Sequence, residues 1–145
     1  DDLDRETPPR TKALNASGLR VLLVEDNRLN MEISRDLLES DGFTVEEAEN
    51  GAVAVDKVKA APGGYYDLVL MDIQMPVMDG YAAARAIRVL PDKGKAAVPI
   101  IAVTANAFEE DRQAALDAGM NGHIPKPIDV DLLRQQLGAC LNKQK

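Results

Sequence analysis

The chain has 145 residues, a formal net charge of −7, 46% hydrophobic residues and one cysteine. That length suits a single domain that buries roughly two-thirds of its unfolded surface without staples, and a lone Cys140 near the end of a helical pattern excludes a disulfide framework and reads as a small buried hydrophobe suited to a reducing cytoplasm. The acidic balance argues against direct contact with nucleic acid, and no apolar run approaches the roughly eighteen residues of a membrane span.

Residues 1–18, "DDLDRETPPRTKALNASG", are polar and proline-bearing without a sustained period, and are expected to form a disordered linker. The start at Asp1 without Met, and the lack of a signal-peptide pattern, suit a fragment of a longer chain and leave a membrane anchor elsewhere in that chain open. From residue 19 to about 141, short apolar runs alternate with helical patterns: the strand "LRVLLV", the helix "RLNMEISRDLLES", the weaker strand "TVEEA" and the helix "NGAVAVDKV". Then come the strand "DLVLM", the helix "GYAAARAIRVL", the strand "PIIAVT", the helix "FEEDRQAALDAG", the short strand "GHIP" and the helix "DVDLLRQQLGACL", with 142–145 as a tail. Strands separated by helices run parallel, and near-continuous apolar strands belong to a sheet covered on both faces. The pattern predicts a doubly wound α/β sandwich with "TVEEA" at an edge and a ligand site beyond the carboxyl ends of the strands.

The chemistry collects at the carboxyl ends of the strands. Glu25 and Asp26 come directly after the first, Asp72 ends the third, Thr104 ends the fourth and Lys126 comes after the fifth, while the second is expected to add nothing comparable. Three clustered carboxylates repel one another unless a cation intervenes. With oxygen ligands and no His or Cys nearby, the natural cation is Mg²⁺ or Mn²⁺. An ammonium at Lys126 and a hydroxyl at Thr104 would face an anion recruited beside it, which points to a phosphoryl group with Asp72 as its nucleophile.

The stretches "VLLVEDN", "LVLMDIQMPVMDG", "PIIAVTA" and "IPKP", in this order and spacing, closely resemble the receiver domain of two-component response regulators. The resemblance implies a flavodoxin-like five-stranded sheet of order 2-1-3-4-5 and makes Asp72 the phosphoacceptor. It gives Mg²⁺ to Asp26, Asp72 and the backbone carbonyl of Gln74, with Glu25 acting through a metal-bound water. It sets Thr104 and Lys126 on the phosphoryl oxygens and makes Lys126–Pro127 a cis bond. It pairs Thr104 with an aromatic switch residue on the fifth strand, a position held here by His123, and it lets Gln74 and Ala105 tune access of hydrolytic water. "MNGHIPKPI" is most similar to receivers of hybrid sensor histidine kinases, whose partners are a histidine kinase domain and a histidine phosphotransfer domain. A stand-alone regulator, and dimerisation through the face of the fourth helix in the sequence count, are further readings the resemblance implies.

Taken singly these residues have plainer readings: Glu25 and Asp26 as helix-entry charges, Thr104 as a cap, Lys126 as a surface lysine. A phosphatase with an aspartate nucleophile would want a second acid two residues after Asp72, where Gln74 stands, and a flavodoxin-like nucleotide module would want a phosphate loop where "EDNRLN" is acidic. Met71, Met75 and Met78 are expected to pack, Gly63 and Gly64 to make a flexible loop rather than a phosphate cradle, and His123 to ligate no metal. In the first helix Ile33, Leu37 and Leu38 are expected to define the buried side, with Leu29 and Met31 on apolar flanks able to dock a partner helix.

Overall fold

The structure, a computed structural model, describes residues 18–73, 75, 77–104, 109–125 and 128–143, without the side chains of 109–111, 137 and 139–143. The expected linker over 1–17, and the readings made for Gln74, Ala105, Lys126, Pro127 and the Cys140 thiol, lie outside the described residues.

In chain order the elements are β1 (Arg20–Val24), α1 (Arg28–Ser40), β2 (Thr44–Ala48), α2 (Gly51–Ala60), β3 (Leu68–Asp72) and α3 (Gly80–Arg88). Next are α4 (Lys93–Ala96), β4 (Ile100–Thr104), α5 (Glu109–Asp117), β5 (Gly122–Pro125) and α6 (Val130–Lys143). The strands form one parallel sheet in the order β2-β1-β3-β4-β5. Its interior strands are apolar throughout because successive side chains feed two cores on opposite faces. Val21, Leu23, Leu68, Leu70, Ile101 and Val103 pack with Met31 and Leu38 of α1 and Leu133 of α6. Leu22, Val24, Val69, Met71, Ile100 and Ala102 pack with Ala54 and Val58 of α2, Ala83 and Ile87 of α3 and Ala115 of α5.

Helix entries arise from side chains that compete for backbone donors. Asn27, Asn50 and Asp79 cap α1, α2 and α3 by accepting from the amides of Asn30, Val53 and Ala82. The capping of α1 by Asn27 leaves Glu25 and Asp26 outside the helix, so neither is a first-turn charge.

Helix α4 is absent from the sequence pattern. Asp92 caps it, accepting from the amides of Gly94 and Lys95, and one turn of "KGKA" has no apolar period by which to be read. The helices counted fourth and fifth in the sequence are therefore α5 and α6, and α6 runs through the expected boundary at Leu141 to Lys143. The buried side of α1 also differs from expectation. Leu38 (0% exposed) is buried and Leu29 (64%) is exposed as expected, but Met31 (2%), seven residues and almost two turns from Leu38, is buried with it, whereas Ile33 (48%) and Leu37 (38%) are exposed. Between the buried pair on that side stands Arg35, whose guanidinium donates to Glu47 of the neighbouring edge strand, so the buried stripe is interrupted by a charged residue and has no continuous aliphatic period.

At the amino ends of the strands two polar assemblies hold the frame. Glu46 of β2 accepts from the phenols of Tyr65 (2.5 Å) and Tyr66 (2.8 Å), and the Arg20 guanidinium lies 4.1 Å from the Tyr65 ring centroid. The "APGGYYD" segment, expected to be a flexible loop, is thus tied down at its tyrosines. Arg88 at the end of α3 donates to the carbonyls of Gly119 (2.7 Å), Ala96 (2.6 Å) and Val98 (2.7 Å) and to Asn121 Oδ1 (2.8 Å), stapling three connections together.

Candidate functional site

The sheet order reverses between β1 and β3, where the connections leave on opposite faces and open a crevice beyond the strand ends. Glu25 leaves β1 into that crevice, its own amide held by the Ala48 carbonyl at 3.0 Å and its Oε2 accepting from the Asn27 amide at 3.1 Å. Asp72, the last residue of β3, pairs in register with Val103. Both acids are nearly buried, at 6% and 5% exposure, whereas Asp26 is exposed. Each of the three contributes an oxygen, and these oxygens all lie within 4.8 Å of one another. Buried like charges at that separation are costly.

The loop after Asp72 is folded back against the strand it leaves. Gly80 donates its amide to the Ile73 carbonyl at 2.9 Å, and Gly51, at the start of α2, donates to the Met78 carbonyl at 3.2 Å. A Cβ on Gly80 would lie 2.5 Å from the Asp72 carbonyl oxygen, so only glycine lets α3 begin this close to the acid. Met71 and Met75 are buried and Met78 packs against the same core, as expected of packing residues.

Thr104 ends β4, half-buried and in register with Pro125 at the end of β5. His123 lies lower on β5 opposite Ala102; it is half-buried, and its carbonyl accepts from Gln136 Nε2 of α6 at 2.8 Å. Described residues thus put three acids and a hydroxyl at one end of the sheet, and the positions expected to complete the set, Gln74 and Lys126, lie outside the described residues.

The second strand contributes more than expected. Glu47 accepts from Arg35 at 2.6 Å and from Arg28 at 3.1 Å, and with Glu25, Asp26, Arg28 and Lys57 it lines a cleft of about 350 Å³ beside the acids. The Arg35 hydrogen bond, then that of Arg28, holds the Glu47 carboxyl below its ordinary range against the opposing effect of burial. The signal available in the sequence was the spacing of Arg28 and Arg35, seven residues apart and so on one side of α1, facing the neighbouring edge strand. On the other side of α1 an apolar groove of about 300 Å³ runs between Ile33 and Leu37 and the residues Val103 and Ile128, with Glu25 at its inner end.

The donor set fits a hard divalent cation. Its donors are all carboxylate oxygens, two of the three acids are nearly buried, and the positive charge of such an ion would offset their mutual repulsion.

A family model described as the response regulator receiver domain matches residues 21–138. The chain belongs to that family. It is 44% identical over 133 residues to hybrid signal transduction histidine kinase B of Dictyostelium discoideum, covering 85% of this chain and 7% of that protein. It is 43% identical over 129 residues to the two-component response regulator ORR41 of Oryza sativa subsp. japonica, covering 86% of this chain and 93% of that one. Among solved structures, it is similar to the receiver domain of the sensor histidine kinase PA1611 from Pseudomonas aeruginosa PAO1, described with a magnesium ion coordinated in its active site cleft. That match has a TM-score of 0.75 and 39% identity over 87% of this chain and 99% of that one. The chain spans only a small part of the hybrid kinases it matches, 7% to 13% of their length for kinase B and for the probable histidine kinase 2 of rice. Receiver domains are phosphoacceptor modules of two-component signalling, and this receiver domain has three acids close together beyond the strand ends of its five-stranded sheet. Among the described residues no helix is long and apolar enough to cross a membrane.

Proposed function

We propose that this receiver takes a phosphoryl group from a phosphohistidine onto Asp72 and passes it on within a phosphorelay. The observation that carries the assignment is the nearly buried carboxylate of Asp72 at the tip of a core strand, with oxygens of Glu25 and Asp26 within 4.8 Å. An Asp72 oxygen forms a bond to phosphorus as the phosphorus–nitrogen bond of the donor breaks. The electron pair of that bond stays on the imidazole, which takes up a proton. Thr104 donates its hydroxyl to a phosphoryl oxygen and Lys126 sets its ammonium against the same group, so that positioning and charge supply most of the catalysis. Asp26 and Asp72, with the carbonyl of Gln74, would hold Mg²⁺, Glu25 would act through a water, and the ion would supply positive charge to offset that of the transferred group. The domain thus catalyses its own phosphorylation and its slow hydrolysis and needs no separate enzyme for either.

The similarity to hybrid kinases supports a cytoplasmic setting in which the donor is a histidine kinase domain and the acceptor a histidine phosphotransfer domain. The exposed stripe of Leu29, Ile33 and Leu37 along α1, beside the apolar groove, gives such a helical partner a place to dock. The coverage of nearly the whole rice regulator keeps a stand-alone regulator as the second reading. In either case movement of Thr104 toward the phosphate, with His123 moving after it, alters the face of α5, β5 and α6, where a second copy can pair. Transfer from a phosphorylated histidine phosphotransfer domain, monitored by gel autoradiography, tests the proposal: label is expected on the wild type and absent from Asp72→Asn. Label on Asp72→Asn would overturn it.

A further inference from the structure

Arg28 occupies a place that its own helix does not favour. It is the first residue of α1, next to the cap Asn27, and a cation there opposes the positive end of the helix macrodipole. Its pairing with Glu32 one turn on, at 3.5 Å, runs in the weaker of the two orientations for an i,i+4 ion pair. The stronger hold on the guanidinium comes from another element: Glu47 of β2 accepts from Arg28 Nη1 at 3.1 Å. Glu47 is itself fixed, with its other oxygen accepting from Arg35 at 2.6 Å and its backbone carbonyl accepting from Lys57 Nζ at 2.6 Å. The Glu47 side chain is 23% exposed and that of Arg28 69%, so the carboxylate is anchored while the guanidinium stands largely in water.

A second set of partners lies close by. Arg28, Glu47, Glu25 and Asp26 line one cleft, and Ala48, next to Glu47, receives the Glu25 amide at 3.0 Å. Asp26 is exposed, only two residues from Arg28, and one of its oxygens lies within 4.8 Å of oxygens of Glu25 and Asp72. Repulsion among the three carboxylates favours any positive charge that approaches them, and a guanidinium is well shaped to bridge carboxylate oxygens. Among the described residues, however, the ion pairs of Arg28 are those with Glu47 and Glu32. We propose that Glu47 is a positioning residue that ties Arg28 away from the acid cluster and so keeps the cluster open to a divalent cation. Without Glu47, Arg28 turns to Asp26 and competes with the ion. This inference rests on the reading that Glu25, Asp26 and Asp72 hold Mg²⁺, and it adds to that set a residue that touches neither the ion nor the phosphoryl group.

The test is a double-mutant cycle read by calorimetric titration with magnesium chloride, at about 0.15 M ionic strength so that long-range charge effects are damped. It compares the wild type, Glu47→Gln, Arg28→Gln and the protein carrying both substitutions, each first shown by circular dichroism to be folded. Glu47→Thr, which suits an edge strand, repeats the comparison with a shorter side chain. Either substitution at Glu47 is expected to weaken Mg²⁺ binding about two- to fivefold, the worth of an exposed arginine–carboxylate pair that the ion must now break. Arg28→Gln is expected to bind Mg²⁺ at least as well as the wild type, and adding a Glu47 substitution to it is expected to change nothing further. Wild-type affinity in both Glu47 variants would overturn the proposal. So would an equal loss with and without Arg28, because Glu47 would then act by its charge alone. If the wild type binds no Mg²⁺ at all, it is the reading of the acid cluster as a metal site that falls.

Discussion

Removing one charge from the acidic cluster should stabilise the metal-free protein. The oxygens of Glu25, Asp26 and Asp72 lie within 4.8 Å of one another. Two unit charges at that separation repel by about 1 kcal/mol in water and by about 3.5 kcal/mol at an effective dielectric constant near 20. Asp72→Asn removes two of the three pairs while keeping the shape of the side chain. Because Asp26 is exposed, values near the watery limit apply, and after the loss of polar contacts to the carboxylate a net gain of about 1–2 kcal/mol is expected. For a domain of this size that is a rise in melting temperature of about 4–8 °C. The assay is thermal unfolding by circular dichroism in EDTA at low ionic strength for wild type, Asp72→Asn and Asp26→Asn. Raising the salt should shrink the difference at exposed Asp26 more than at buried Asp72. Adding Mg²⁺ should reverse the ranking, since an ion bound a hundredfold above its dissociation constant stabilises by about 2.7 kcal/mol and a depleted site binds it less well. If both variants melt at or below the wild type in EDTA, the three acids do not repel one another and the cluster is not as described.

Other perturbations test the frame around the site. Gly80→Ala places a methyl 2.5 Å from the Asp72 carbonyl oxygen; it is expected to cost about 1–3 kcal/mol in chemical denaturation and to slow phosphorylation, because the backbone that must yield is that of the nucleophile. Arg88→Met keeps an apolar stem but removes the side-chain donor from three backbone carbonyls, while Asn121 Oδ1 keeps its bond from the Ile100 amide, a loss of about 3 kcal/mol, and Arg88→Lys is expected to recover little of it because one ammonium cannot reach all four acceptors. Acid should weaken the fold through Glu46 and Glu47. Burial raises the Glu46 carboxyl, but the phenols of Tyr65 and Tyr66 and the charges of Lys57 and Arg20 outweigh it, and Glu47 is held down by Arg35. Both carboxyls therefore stand below the ordinary value of 4.5, and their stabilisation is complete above it and is lost as the pH falls through their lowered values. Glu46→Gln should be less stable than wild type in urea at pH 7, with the gap closing as the pH is taken below 4.5. A gap that stays constant with pH would show that the two tyrosines do not depend on the charge.

The sheet was legible because its interior strands are near-continuous apolar runs that alternate with helical patterns. The acids at the strand tips were legible for a related reason: Asp72 breaks an apolar run at a point where no helix begins. The missing pieces have physical causes. One turn at Lys93–Ala96 is too short for a helical period to register. The buried side of α1 was misread because aliphatic residues occupy two sides of that helix, Met31 and Leu38 against the sheet and Leu29, Ile33 and Leu37 away from it. Counting hydrophobes cannot rank two such stripes, and Arg35, on the side of Met31 and Leu38, reads in the sequence as a solvated charge although it donates to Glu47 on the next strand. Glu47 was passed over for the same reason, since its role depends on partners that lie seven residues apart on another element. The left-handed backbone at Val77, with φ +71°, leaves no trace in composition or period, for it is set by the hydrogen-bonded frame around it, Gly51 to Met78 and Gly80 to Ile73, rather than by the residue itself.

The most direct measurement is the intact mass of the protein after incubation with acetyl phosphate, with and without Mg²⁺, for the wild type and Asp72→Asn. A single added phosphoryl group is expected on the wild type in Mg²⁺, with none in EDTA and none on Asp72→Asn under either condition. A phosphorylated Asp72→Asn protein, or a wild type modified equally well in EDTA, would contradict the assignment of a metal-assisted aspartate nucleophile at the end of β3.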